Sequence, residues 1–277
     1  MAPMNNRLLV PRKTPGLLDL VPGAAAAYSL RSLSRSYAGP VVTVRRSSDD
    51  AEEDFTAAEV ADGTLAAFCG AGDGFVKQWW DQSGNGNHAV AAADANEPQI
   101  VDSGVVVTEE GKPALQFDGS DDYFSVTASI ADPAFVFVGS MDDVTSAASF
   151  FDSPPGAGRA FLHWRPDLSP DQITLGNLIG ATVILRYIND GTFENASQFV
   201  LIGDINNTAS QIRKDGASLV EGDAGSGSLV NYYIGAEQSV SSFYAYGGKM
   251  QEVLFWPGDV SGFYELIEGQ IAWSFSQ

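Results

Sequence analysis

The chain has 277 residues, 44% of them hydrophobic, with 29 glycines and 13 prolines. It is long enough for one large β-sandwich or two small domains, its apolar content excludes wholesale disorder, and the many short β-rich runs favour an all-β fold. The lone Cys69 excludes an intrachain disulfide and a thiolate metal cluster, and the absence of any run of about 18 apolar residues excludes a transmembrane helix. The net charge of −20 is divided unevenly: residues 1–46 carry seven basic residues against Asp19, a net +6, and the remainder carries −26. An acidic body repels phosphates, so nucleic acid is excluded as a partner.

Residues 1–23, with Pro3, Pro11, Pro15 and Pro22-Gly23, have the composition of an extended arm, and residues 24–277 form the domain. A short helix is expected over 24–36, with Tyr28, Leu30, Leu33 and Tyr37 available for packing. A strand follows at 41–46, an acidic loop at 47–54 and a second short helix at 64–68, leaving Cys69 as a half-buried structural thiol. The run ending at Asp81 reads as a strand, so Trp79 and Trp80 point to opposite faces, one into the core. Further β-rich runs lie at 135–138, 161–164, 182–187, 199–202, 210–213 and 232–234, and Lys214-Asp-Gly216 is a hairpin signal. The end reads as a helix capped by Ser261, with Phe263, Ile267 and Ile271 on one stripe and Leu266 beside it.

The densest information is Lys77-Gln-Trp-Trp-Asp-Gln-Ser-Gly-Asn-Gly-Asn-His88, a strand running into a turn rich in residues that tolerate positive φ. It is followed by Gly111-Lys-Pro-Ala-Leu-Gln-Phe-Asp-Gly-Ser-Asp-Asp-Tyr-Phe124, two strands around a tight acidic turn. With 28–33 and 41–49 upstream, residues 24–126 resemble the concanavalin-A-like catalytic domain of fungal α-L-arabinofuranosidase B. The whole chain, through 248–256 and 267–273, also resembles laminin-G-like lectin domains of bacteriophage virion proteins, some of which begin with an element like Asn6-Arg-Leu-Leu-Val-Pro-Arg12. The resemblance implies a concanavalin-A-like jelly-roll β-sandwich with an N-terminal extended arm and a short C-terminal helix. It further implies glycan contact, for which Trp80, Asp81, Gln82, Asn85 and Asn87 are the candidates; of Trp164, Trp256 and Trp273, which could also stack on sugars, most are read as core.

Asp118, Asp121 and Asp122 are the candidate calcium ligands, set against an Asx-stabilised turn that needs no ion. No other cofactor is expected. His88 and His163 lack the converging partners of a metal site; His88 is read as a backbone partner and His163 as a packing or surface position.

A retaining glycosidase needs two carboxylates about 5 Å apart. The arabinofuranosidase nucleophile sits in a Trp-x-x-Ala-Asp-Leu-Glu-type motif; the nearest phrase, Trp164-Arg-Pro-Asp-Leu-Ser-Pro170, keeps Asp167-Leu168 but has Ser169 in the glutamate's place. The family's acid follows an Ile-x-Leu-Gly strand, and here Tyr233-Ile-Gly235 leads to Ala236-Glu237. On this reading the expected function is a non-catalytic phage virion structural protein, capsid decoration or tail-associated, that releases no arabinose. Its rivals are an arabinofuranosidase-like hydrolase of arabinose-containing polysaccharide and a host cell-surface lectin. Arg7, Leu8, Leu9, Arg12 and Lys13 would anchor the arm on other virion proteins or on sister copies in a homo-oligomer, the sandwich would meet a host-surface glycan, and no membrane is involved. The start Met1–Arg7 has no apolar leader and the disulfide framework of the secreted fungal enzymes is missing, so the expected site of folding is a reducing host cytoplasm, followed by the virion.

Overall fold

The computed structural model describes residues 14–154, 159–168, 171–179, 181–188, 193–237, 239–240 and 242–275, with backbone alone for 177–184, 188, Trp273 and Phe275 within those limits. The architecture is mostly β, with few helices and a short C-terminal helix. Strand Pro133–Met141 is the spine of one layer, antiparallel to Phe199–Asp204 on one side and Gly247–Pro257 on the other. The far edge of Gly247–Pro257 is shared by two shorter strands, Ala26–Ser29 along one half and Leu115–Asp118 along the other. The facing layer runs antiparallel through Phe124–Ala131, Ser228–Ile234, Ala148–Asp152, Arg159–Arg165, Gln172–Ile179 and Ala181–Ile188.

Aromatic rings close the space between the layers. Phe135 meets Phe151 at 5.2 Å, Phe137 meets Phe150 at 4.9 Å, and Phe255 meets both Phe151 and Tyr232 at 5.2 Å. Such tilted pairs contribute roughly 0.5–1.5 kcal/mol each beyond the area they bury. The other face of the spine carries Ala134, Val136 and Val138, which with Leu254 and Trp256 pack under helices Leu17–Leu20 and Tyr264–Phe275. All nine residues of Pro133–Met141 are therefore buried, and the run is continuously apolar instead of alternating.

Several expectations need correction. The segment 24–36 contains no helix: Ala26–Ser29 is a strand whose four residues are all buried against Phe255–Glu252, so tertiary pairing overrides the helix propensity of the alanines. The acidic loop at 47–54 ends in strand Glu52–Phe55, held by cross-strand partners: Arg45 lies opposite Glu52, Thr43 Oγ1 donates to Asp54 at 2.6 Å, and Lys77 pairs with Glu52. A helix not anticipated, Ala57–Ala61, starts at a capping box of Thr56 and Glu59. In the terminal helix the buried stripe is Tyr264, Ile267 and Ile271, because the chain enters through a tighter turn at Ser261–Phe263 that rotates Phe263 and Leu266 outward.

Helix Thr64–Cys69 forms as expected, and burial pushes the Cys69 thiol up to about 11. The positive φ of Asp215 and Gly216 fits the hairpin expected there. The arm candidates Arg7, Leu8, Leu9, Arg12 and Lys13 lie outside the described residues. Leu17 and Val21, counted above with the arm, are buried against the terminal helix, so the packed body begins before residue 24.

Candidate functional site

The turn after Asp81 is a structural clip. The buried Asp81 carboxylate accepts from the backbone N–H of Ala27 (2.9 Å), Ser83 (2.8 Å) and Asn87 (3.0 Å) and from the Ser83 hydroxyl (2.7 Å). Gln82 donates to the carbonyls of Ser29 and Arg31 and accepts from Leu33 N–H, each at 2.9 Å. Asn85 and Asn87 donate to the carbonyls of Ala24 and Ala25, and Gly84 and Gly86, at φ +90° and +77°, supply the turn. Trp79 is fully buried, while half-buried Trp80 donates to Thr43 Oγ1 and sets its ring edge-on against His88, whose Nδ1 accepts from Asp81 N–H. The polar groups expected to meet a glycan thus fasten strand Ala26–Ser29 to the body. Trp164 and Trp256 are core residues, and the Trp273 side chain lies outside those described.

The acidic turn at 118–122 does not converge on a point. Asp118 Oδ1 accepts from Ser120 and Asp121 N–H, and Asp122 Oδ2 accepts from Asp118 N–H, the pattern of an Asx turn. Burial, reinforced by the Asp118 charge, pushes the Asp122 carboxyl up to about 7. Among the described residues no three His, Cys, Asp or Glu side chains come together to hold a metal. Of the calcium candidates Asp118, Asp121 and Asp122, the carboxylates of Asp118 and Asp122 are engaged by turn N–H groups, the arrangement set beside calcium in the sequence reading.

A cleft of about 510 Å³ opens at one end of the sandwich, where loops from both layers meet. Asp118 and Gly119 form one wall, Asp142 to Ala147 another, Pro166 and Asp167 a third, and Ser242, Phe243 and Ala245 the last. Local chemistry fixes these loops. Asp143 accepts from Thr145 N–H (2.8 Å) and from the Thr145 and Ser146 hydroxyls, and Trp164 Nε1 ties Val144 O to the core at 2.8 Å. Gly119, at φ +75°, and Gly247 lie so close that a Cβ on Gly119 would meet the Gly247 Cα at 3.3 Å.

Arg165 organises the rim. Its guanidinium grips the Asp167 carboxylate through two hydrogen bonds of 2.7 Å and lies over the Tyr244 ring at 5.3 Å. The hydrogen bonds from Arg165 hold the Asp167 carboxyl below its ordinary value. The Asp167 hydrogen bonds raise Arg165 and burial raises Tyr244, and the Glu237 charge adds a lesser push in the same direction to each. Beneath the rim lies a buried charge cluster. Asp152, fully buried, is held by Arg159 through Nε (2.7 Å) and Nη2 and by His163 Nε2 at 3.2 Å. Burial pushes Asp152 up, and the bonds from Arg159 and His163 override it, leaving the carboxyl below its usual range. His163 stacks on Tyr244 at 5.3 Å and 25°, so the buried cluster supports the cleft loop directly.

The sequence had pointed to the Asp167 phrase and to Glu237 separately; the structure places Asp167 on the cleft wall, and Glu237 is not among the residues that line it. The sequence missed Asp142, Asp143, Phe243, Tyr244 and the Asp152–Arg159 pair. The available signal was an aromatic pair, Phe243-Tyr244, inside a polar loop. Nothing local shows that Asp152 and Arg159 face each other across a hairpin.

The family model described as "Alpha-L-arabinofuranosidase B, catalytic" matches residues 19–123, in agreement with the resemblance read over 24–126. Among solved structures, an arabinofuranosidase complexed with arabinofuranosyl-α-1,2-xylobiose is 18% identical with a TM-score of 0.62. A mutant GH54 α-L-arabinofuranosidase soaked with 4-nitrophenyl α-L-arabinofuranoside is 18% identical with a TM-score of 0.66, and one soaked with a cyclic sulfate inhibitor is 18% identical with a TM-score of 0.52. Each alignment covers 90% of this chain and 62% of the other, so the chain spans less than two thirds of those proteins. No curated protein matches the sequence. These findings overturn the expectation of a non-catalytic phage virion protein: the family model and the matched structures are of arabinofuranosidases, and they favour the hydrolase alternative. The matched stretch 19–123 contains the structural clip and Asp118 of the cleft, while Asp142, Asp143 and Asp167 lie beyond it.

Proposed function

We propose that the chain is an arabinofuranosidase-like glycoside hydrolase on a concanavalin-A-like jelly roll, acting on arabinose-containing polysaccharide in the cleft at 118–247. One observation carries this reading: the carboxylate of Asp167, gripped by Arg165 over the Tyr244 ring, lines the cleft of a chain whose residues 19–123 match the arabinofuranosidase catalytic model. With Ser169 in the place of the family's glutamate, Asp167 is the acid of that phrase and takes the nucleophile's role. Arg165 keeps it ionised, as a nucleophile requires. Glu237 is the general acid. In a double displacement the Asp167 carboxylate forms a bond to the anomeric carbon while Glu237 gives its proton to the departing glycosidic oxygen; water, deprotonated by Glu237, then releases the sugar.

The test is release of 4-nitrophenol from 4-nitrophenyl α-L-arabinofuranoside and of arabinose from arabinoxylan. The wild-type protein turns over both, and Asp167→Asn and Glu237→Gln each lower kcat/KM by on the order of 10²–10⁴-fold with unchanged melting. A wild-type protein that releases neither product overturns the reading.

A further inference from the structure

Phe243 stands out among the large apolar side chains. It is 60% exposed, yet it lies on a loop whose neighbours Tyr244 and Ala245 are half-buried and buried. Its ring is fixed edge-to-face on Tyr244 at 4.8 Å and 85°, and Tyr244 is itself clamped between Arg165 and His163. An exposed aromatic ring on the wall of a cleft offers a flat apolar face to a ligand, beside the few polar groups that orient it. The carboxylates Asp118, Asp142 and Asp143 line the same cleft. Asp142 Oδ2 accepts from Gln116 Nε2 at 2.7 Å, which fixes that carboxylate while leaving its second oxygen for other donors.

We infer that Phe243 is the platform of a second sugar subsite, taking a backbone sugar ring of the polysaccharide next to the sugar cleaved between Asp167 and Glu237. A pyranose ring offers one face of C–H groups and an edge of hydroxyls. The C–H face fits the Phe243 ring, and the hydroxyls find acceptors in Asp142 and Asp118 of the same cleft. The inference rests on the cleft being the carbohydrate site.

The probe is arabinoxylan, in two independent measurements on the full chain. In affinity electrophoresis the wild-type protein is retarded by the polymer, Phe243→Ala loses on the order of tenfold in affinity, and Phe243→Trp restores it. In turnover, Phe243→Ala lowers the ratio of kcat/KM on arabinoxylan to that on 4-nitrophenyl α-L-arabinofuranoside by a similar factor. Because Phe243 is exposed, the melting temperature of Phe243→Ala reports that the fold is intact. Retardation lost on Phe243→Ala without any turnover leaves the subsite standing and removes the hydrolase reading. Equal retardation of wild type and Phe243→Ala, or no retardation of the wild type, overturns the subsite whatever the turnover shows.

Discussion

Two polar loops of this molecule look alike in composition and do opposite things. The turn 81–88, full of Asp, Gln, Asn and Gly, commits its side chains to backbone partners and clips strand Ala26–Ser29 to the body. The cleft loops at 142–147 and 236–245 are equally polar, but they leave an aromatic ring in water and several carboxylates facing an open volume. The difference is burial. Asp81 and Gln82 are almost inaccessible, and a buried polar group must find its partner inside the protein. The cleft carboxylates lie at the rim, where water or a ligand can complete their hydrogen bonds. Polar richness in a sequence therefore identifies a structured loop, and only accessibility separates a clip from a binding site.

Variants can break this contrast. The largest effect is expected beneath the rim, where Arg159→Met takes the bidentate guanidinium from the fully buried Asp152 carboxylate, leaves His163 beside it and lowers stability by about 3–5 kcal/mol in urea unfolding. The double variant Asp152→Leu, Arg159→Met removes the buried charge and recovers part of that loss. Asp81→Ala is next, at about 2–4 kcal/mol, since it leaves buried N–H groups of the clip without their acceptor. Its folded fraction keeps its retardation by arabinoxylan; loss of retardation would return the clip to the list of binding surfaces.

A smaller, pH-dependent effect comes from Asp122. Its folded carboxyl sits near 7 against 3.8 unfolded, so the folded state holds the proton more tightly. Stability from this group is full below about pH 4, declines as pH rises through 7, and is flat above that. The fall is expected at about 2 kcal/mol, below the worth of the whole displacement because some water reaches the group. Asp122→Asn removes the slope, which urea midpoints at pH 5 and pH 8 will show. Asp204, pushed up to about 6 by burial, adds a slope of the same sign. The smallest effect on stability is that of Phe243→Ala, within about 0.5 kcal/mol, because an exposed ring has little to lose on folding.

The layered β body was legible in the sequence because its strands carry continuous β-branched and aromatic runs that only a doubly covered sheet can bury. The strand Ala26–Ser29 was not legible, because four small residues become a strand only by pairing with Gly247–Pro257 more than two hundred residues later. The same holds for the site. Asp167 and Glu237 could be named from short motifs, but the Arg165–Tyr244 contact beside Asp167 joins the end of strand Arg159–Arg165 to the turn Ser242–Tyr244 about eighty residues later. The calcium and glycan candidates were drawn from turn residues whose side chains fold back on their own backbone, a partnership that composition does not reveal.

The central claim is that the cleft at 118–247 performs glycoside chemistry through Asp167. Treatment with an electrophilic arabinofuranose analogue that traps the nucleophile, followed by intact mass and peptide mapping, tests it most directly. The account predicts one added sugar per chain, on the peptide carrying Asp167, and none on Asp167→Asn. A chain that takes up no label, or carries it on a carboxylate outside the cleft, contradicts the account.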